Sequence, residues 1–220
     1  MENRTKTLEP ISIDFHVHAL NHKHYPVPAV DVELTEQDQW QINKTLKAMK
    51  QVGRDAIVLS DHNQLSSGIW AREEGDKLGI KVIPGAEFSL FYKGSEIHVI
   101  AAGIETITPD LKDYFGYHTY PDRFVKIVED AGGYAYMTHP QYYPEAFKDL
   151  LPYFHGYEEY NGGAEARGDC MLLKPDYLFE GFVTRGSDWH FSAGIHPDQV
   201  NGICKVAPDS YLHDIFSKWL

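Results

Sequence analysis

Twelve histidines occur in a chain of 220 residues, spread from His16 to His213 rather than gathered in a tag. Several fall in short segments with carboxylates: Asp14-Phe15-His16-Val17-His18, Ser60-Asp61-His62, Pro84-Gly85-Ala86-Glu87, Ile97-His98-Val99-Ile100, Met137-Thr138-His139-Pro140 and Gly186-Ser187-Asp188-Trp189-His190. Strand geometry has a period of two, so Asp14, His16 and His18 are expected to share one face, as are Asp188 and His190. Beyond the first segment, His22 and His24 follow on a loop. Neutral imidazole and carboxylate suit Zn, Fe and, with more oxygen, Mn. Cys170 and Cys204 lie outside these segments, so no thiolate site is expected. These groups outnumber the ligands of one tetrahedral ion, and they suffice for two or three ions if Glu87 bridges a pair. Each also has a plainer reading. His98 could be a core histidine bonded to a carbonyl, Asp61 and Asp188 helix caps, and Glu87 a turn residue. The joint pattern, not any one segment, points to metal.

The segments end β-like runs. Seven runs are short, rich in β-branched and aromatic residues and mostly followed by Gly, Pro, Asn or Asp: Ile11–His18, Ala56–Asp61, Lys81–Leu90, Glu96–Ile104, Gly133–His139, Gly156–Asn161 and Gly181–Asp188. Amphipathic stretches lie between them. Thr35 is expected to cap a helix through Arg54, with Trp40, Leu46 and Met49 available for its buried face. Ser67–Leu78 stops at Gly79, Pro121–Ala131 stops at Gly132-Gly133, and Tyr211–Leu220 closes the chain. Lys93-Gly94 reads as a hairpin turn rather than a crossover. The β/α alternation predicts a largely parallel sheet, expected to close as a barrel with its chemistry at the carboxyl ends of the strands.

Length allows one domain over residues 1–220, with no Pro/Gly/Ser-rich linker to divide it. Acidic residues number 32 against 20 basic ones, for a formal net charge of −12. That balance argues against an extended nucleic-acid surface, which needs clustered Lys and Arg. It leaves open a phosphate-bearing substrate, provided bound divalent cations reverse the local sign. Two cysteines do not make a disulfide scaffold. The opening residues MENRTKTLEP form no signal-like apolar run, and no membrane-length apolar stretch follows. A soluble cytoplasmic protein without a membrane partner is the expectation.

Taken in order, the histidine and carboxylate segments resemble the polymerase and histidinol phosphatase (PHP) superfamily from residue 11 to residue 190. Tyr157-Glu158-Glu159-Tyr160-Asn161-Gly162 is similar to a Glu-x-Tyr-Asn-like segment the family often has on its sixth strand. The resemblance implies a distorted (β/α)7 barrel of TIM-like type holding a trinuclear centre that hydrolyses phosphoesters. By that resemblance His16 and His18 would bind one metal with Glu87 and Asp188, and Glu87 would bridge to a second held by His98 and His139. The third would take His62, His190 and a loop residue. Many relatives have Ser-Asp-Gly in that loop where this chain has Asn21-His22-Lys23-His24; His24, six residues beyond His18, matches relatives that use histidine there and is preferred over His22. Only Asn63–Val82 separates the second and third motifs, so the resemblance is to a stand-alone hydrolase without an inserted domain.

No Gly-x-Ser-x-Gly elbow, phosphate-cradling loop or reactive-cysteine signature is present. A metal-bound hydroxide is therefore the expected nucleophile, with two to three divalent ions of Mn, Zn or Fe and with Glu87 and Asp188 at the catalytic centre. Asp14 and Asp61 are expected to fix imidazole tautomers, or else to cap and turn. Arg185 and Asn161 are the candidates for binding substrate, with Arg123, Arg167, Lys23 and His118 less constrained. Tyr142, Tyr143 and Tyr160 could stack on a base or simply pack. The expected substrate is a small phosphomonoester or short nucleotide. The alternatives are an amidohydrolase-like enzyme, for which no lysine stands at a motif strand end, and a catalytically silent metal-binding barrel.

Overall fold

In the computed structural model, residues 9–20, 31–114, 121–166, 174–190 and 202–220 are described. The principal strands are β1 (Ile11–His18), β2 (Ala56–Leu59), β3 (Lys81–Tyr92), β4 (Ser95–Ala102), β5 (Tyr134–Met137), β6 (Gly156–Asn161) and β7 (Phe182–Gly186). They lie in sequence order around one sheet. Pairing is parallel except for β3–β4 and β4–β5, which are antiparallel. The hairpin between β3 and β4 turns at Lys93 and Gly94 with φ of 49° and 85°, the two positive values that a tight right-twisted hairpin needs.

The sheet nearly closes. After Gly186 the chain passes through Ser187 and Asp188 into β8 (Trp189–His190), which pairs in parallel with Val17 and His18 of β1. The Asp188 amide donates to the His16 carbonyl at 2.8 Å, and Gly186 rests on His16 where no side chain would fit. A last short strand, β9 (Cys204–Val206), pairs antiparallel with the start of β1. The result is a distorted TIM-like α/β barrel. Neither β8 nor β9 shows in the sequence, being two and three residues long.

Helices cover the outside: α1 (Glu36–Gln51), α2 (Ser66–Leu78), α3 (Pro109–Tyr114), α4 (Pro121–Asp130), α5 (Pro144–Leu150), α6 (Gly162–Ala166) and α7 (Tyr211–Phe216). Thr35 caps α1 in a reciprocal box: its hydroxyl accepts from Asp38 N–H at 3.2 Å and Asp38 accepts from the Thr35 amide at 2.9 Å. The buried stripe of α1 includes Ile42, Thr45, Leu46 and Met49, at i, i+3, i+4 and i+7. Trp40 is off that stripe and corrects the expectation: it is 48% exposed, with Lys44 Nζ 5.5 Å from its ring centre. The closing helix also divides, into α7 and a 3-10 turn over Ser217–Trp219.

The apolar residues sort into layers. Ile13, Phe15, Val58, Ile83, Ile100, Tyr136 and Phe182, from six strands, meet Phe216 and Trp219 of the closing segment. Val17, Ile57, Leu59 and Val82 pack outward with Ile42, Leu46 and Met49 of α1. Phe88, Val99 and Met137 pack outward with Phe124 of α4 and Phe147 of α5. The barrel interior is therefore apolar at the level of Phe15 and Ile83, and its inward positions further along the strands are those of Glu87 and His98.

Candidate metal centre

Glu87 is the centre of the site. On β3 the inward Ile83 sets the parity that turns Glu87 inward, while Phe88 faces the helices. Five imidazoles surround its buried carboxylate: His139 Nε2 at 2.9 Å, His62 Nδ1 at 3.0 Å, His98 Nδ1 at 3.3 Å, His16 Nε2 at 3.4 Å and His18 Nε2 at 3.5 Å. Asp188 Oδ1 approaches His18, His190 and His16 at 3.4, 3.4 and 3.5 Å. His16 Nε2 and His18 Nε2 lie 2.9 Å apart, and the ring of His18 stacks against those of His62 and His190.

Local backbone aims these groups. β1 slips register between Asp14 and Val17. Ile13 and Phe15 point into the barrel before the slip and Val17 points outward after it. His16 and His18 consequently reach the centre while Asp14 does not share their role, against the simple period-two expectation. His139 and Asp188 both have positive φ, 29° and 52°. Such conformations cost non-glycine residues energy and persist where the surroundings enforce them, often at functional sites. Gly163, in the first turn of α6, makes room for Asp188: a Cβ there would stand 2.6 Å from Asp188 Oδ2.

The charges are strongly coupled. Burial acts to raise the Glu87 carboxyl, but His16, His98 and His62 outweigh it and hold the group well below the carboxylate range. Burial acts to lower His16, yet Glu87, Glu158 and Asp188 hold it well above the usual imidazole value. His98 is likewise opposed by burial and raised to about 9, chiefly by Glu87 and Glu96. Burial together with His190 and His62 drives His18 well down. The carboxylates thus raise His16 and His98, while burial and the neighbouring imidazoles lower His18.

The donor set fits divalent metal. Among the described residues, four groups of three have ligand atoms within 4.8 Å of one another: His16, His18 and Glu87; Glu87, His98 and His139; His18, His62 and His190; and His16, His139 and Asp188. Nitrogens facing nitrogens around one carboxylate satisfy few hydrogen bonds, and the buried Nδ1 atoms of His18 and His139 make none. Nitrogen and oxygen donors without thiolate match Zn, Fe or Mn. His22 and His24 lie outside the described residues, as do Lys23, His118, Arg167 and Cys170.

The other expected residues have different work. Asp14 accepts from the amides of Ser187 at 2.9 Å and His16 at 3.2 Å, and faces Arg54 at 3.6 Å. Burial pushes its carboxyl up to about 6, with Arg54 and the Ser187 amide opposing. Asp61 accepts from the amides of Ala19 and Leu20 at 2.7 and 2.8 Å, fixing the chain where it leaves β1. Both carboxylates are seen holding backbone amides, the capping and turn role that the sequence offers as the alternative to fixing an imidazole. Arg185 has the parity of the exposed Val183, not of Thr184 and Gly186, so it leaves the barrel outward. There its guanidinium pairs with Glu159 at 2.9 Å and lies over the Tyr160 ring. Asn161 is buried with both ends engaged, Nδ2 donating to Glu158 at 2.9 Å and Oδ1 accepting from the Ala164 amide at 2.8 Å. Both residues, the expected substrate contacts, are engaged with neighbouring groups of the barrel wall.

Glu158, which the sequence shows only as part of the segment 157–162 and with no role of its own, lies against the site. It is buried, its Oε1 lies 3.2 Å from His16 Nδ1, and its Oε2 accepts from the His139 amide at 2.8 Å. A register shift between Glu158 and Tyr160 lets residues three apart, Glu158 and Asn161, meet on the inner side. The available signal is the Tyr157-Glu158-Glu159-Tyr160-Asn161 segment itself, two adjacent carboxylates of which alternation on a strand turns one inward.

No protein-family model matches the chain, and no curated protein matches it. Solved structures do. A protein from Bifidobacterium adolescentis, provisionally described as a metal-dependent phosphoesterase, aligns with a TM-score of 0.61 at 13% identity, over 94% of this chain and 96% of that one. An amidohydrolase from Chromobacterium violaceum, with sulfate bound and no metal, aligns with a TM-score of 0.60 at 14% identity, over 94% and 97%. At such identity the likeness is one of fold.

Proposed function

We propose that this chain is a metal-dependent phosphoesterase of the PHP type, hydrolysing a small phosphomonoester or short nucleotide. The observation that supports it most is the buried Glu87 carboxylate ringed by five imidazole nitrogens within 3.5 Å, with Asp188 beside it. In this reading His16, His18, Glu87 and Asp188 hold one ion, Glu87, His98 and His139 a second, and His62 and His190 belong to a third. Divalent ions so placed would supply Lewis-acid polarisation of a phosphoryl oxygen and activation of water at neutral pH.

The chain's own residues do the positioning. Glu158 accepts a hydrogen bond from Nδ1–H of His16, which leaves the Nε2 lone pair facing inward; its other oxygen accepts from the backbone amide of His139. Thr138 Oγ1 donates to Glu87 Oε1 at 2.9 Å and steadies the shared carboxylate. His16 and His18 are sealed, whereas the side chains of His62, His98 and His190 are 16%, 26% and 29% exposed. A phosphate therefore arrives over those three rings, and the apolar barrel beneath excludes water from the other side. A divalent ion there also offsets the charge that the enzyme presents to an anionic substrate.

Metal-depleted protein should be inactive and should regain phosphomonoesterase activity with Mn, Zn or Fe, with two to three equivalents bound by elemental analysis. Chromogenic amides assayed in parallel should stay uncleaved. Amide cleavage without phosphate release would replace this reading by the amidohydrolase one, and full activity in chelator would end both.

A further inference from the structure

Glu87 Oε1 is where His139 Nε2, Thr138 Oγ1 and His98 Nδ1 converge, at 2.9, 2.9 and 3.3 Å. Thr138 and His139 share the peptide unit that leaves β5, and the backbone there is unusual. A residue before proline ordinarily adopts extended backbone, with ψ of about 120–160°. His139 precedes Pro140 and has φ 29° and ψ 55°. A non-glycine residue keeps such a conformation only where its surroundings enforce it. The ligand position of His139 is built on that enforced backbone.

The peptide is held at both poles. Its N–H, on His139, donates to Glu158 Oε2 at 2.8 Å. Its carbonyl, on Thr138, accepts from the hydroxyl of Tyr143. A planar peptide fixed at both poles cannot turn, so the φ of His139 is fixed with it. The same hydroxyl lies 2.8 Å from the His98 carbonyl, which also accepts from the Thr138 amide at 3.2 Å. One phenolic proton is thus shared between the backbones that bear His98 and His139. The chain returns to this point through the 3-10 turn Pro140–Tyr142, and the Tyr143 ring packs in the apolar layer that contains Phe147 and Leu150. Burial holds the phenol well above its ordinary range, so the hydroxyl remains a donor.

We propose that Tyr143 is a positioning residue for the second ion: its hydroxyl, opposite Glu158, clamps the Thr138–His139 peptide and keeps His98 and His139 together on one oxygen of Glu87. The inference rests on the assignment of Glu87, His98 and His139 to one ion, and it does not depend on which bond is hydrolysed. Without the hydroxyl the Thr138 carbonyl turns, His139 relaxes towards the extended backbone that Pro140 favours, and Nε2 moves off Glu87.

Tyr143→Phe removes the hydroxyl and keeps the ring. In a zinc competition titration it should weaken one metal equivalent about 10–100-fold, the usual loss when a group that orients a ligand is removed, and leave the others near wild type. Combined with Glu158→Gln, it should weaken that equivalent by less than the product of the separate losses, because both bonds hold one peptide. In metal-free protein the His139 amide should exchange its hydrogen with solvent faster in Tyr143→Phe than in wild type. An earlier thermal transition with every equivalent bound at wild-type affinity would make the hydroxyl merely structural and overturn the proposal. Equal weakening of every equivalent, or a fully multiplicative double variant, would overturn it as well. If wild-type protein takes up no zinc while His139 exchange still depends on the hydroxyl, the metal reading is what fails; unchanged exchange in Tyr143→Phe overturns the clamp whatever the metal does.

Discussion

At the scale of single residues the site depends on carboxylates that do not all bind metal. Glu87 touches every proposed ion group but one, so Glu87→Ala should abolish hydrolysis and lower metal content while circular dichroism stays native-like. Glu158 touches no proposed ion, yet it holds both His16 and the His139 amide. Replacing such an orienting carboxylate typically costs about 10–100-fold in metal affinity. Glu158→Gln should show that loss in a competition titration, with recovery of activity at high metal concentration; wild-type affinity would remove Glu158 from the site. Protonation gives a second expectation at this scale. In the metal-free protein His98 titrates at about 9 and His16 also lies above its ordinary value, both raised by Glu87 against burial. An imidazole must lose its proton to ligate, so metal competes with protons at these rings. Apparent affinity should rise with pH up to about 9 and fall below it, and uptake at pH 7 should release protons, measurable by calorimetry in buffers of different ionisation enthalpy. Binding without proton release would contradict the protonation assigned to His98 and His16.

At the scale of elements, the site is a product of strand ends and of two places where strands slip. Gly163→Ala tests how α6 seats Asp188. A methyl group 2.6 Å from Asp188 Oδ2 must push the carboxylate or the helix aside. Overpacking of this kind costs about 1–3 kcal/mol, so thermal unfolding should come earlier and one metal equivalent should weaken. An unaltered melting temperature with full metal content would show that α6 yields freely. The principal strands and α1, α2 and α4 are legible in the sequence because each signal is local: β-branched runs, the Thr35 box, and Gly79 and Gly132 at left-handed helix ends. What escapes is non-local. The slip after Asp14 separates it from His16, and the slip after Glu158 brings Asn161 inward; both arise from pairing with a neighbouring strand, which no single run encodes. Arg185 is a different case, since counting outward from Gly186 by twos already turns it away from the site. Trp40 misleads because an aromatic residue near an apolar stripe resembles core, although its angle around the helix places it outside.

At the scale of the whole molecule, charge decides which phosphates can approach. The chain has a formal net charge of −12, and among the described residues Arg185 is paired with Glu159, Lys93 with Asp149 and Arg54 with Asp14. Physiological salt confines such a field to about 8 Å, so a short substrate feels it only on arrival, while a long polyanion lies along many acidic stretches at once. Polymeric nucleic acid needs a track of Lys and Arg from which counterions are released, and the sequence has no such run. On the proposed reading, the positive charge available to a phosphate would be that of the divalent ions held near His62, His98 and His190. A ligand with one or two phosphates meets that focus fully, whereas each further phosphate adds repulsion without a partner. A mononucleotide should therefore outcompete a long single-stranded oligonucleotide when the two are mixed at equal concentrations of phosphorylated ends. Raising salt should narrow the gap, because screening relieves the repulsion of the longer strand more than that of the shorter one. Preference for the long strand, weakening steeply as salt is added, would require a basic surface and would overturn the small-substrate reading while leaving the metal ligands in place.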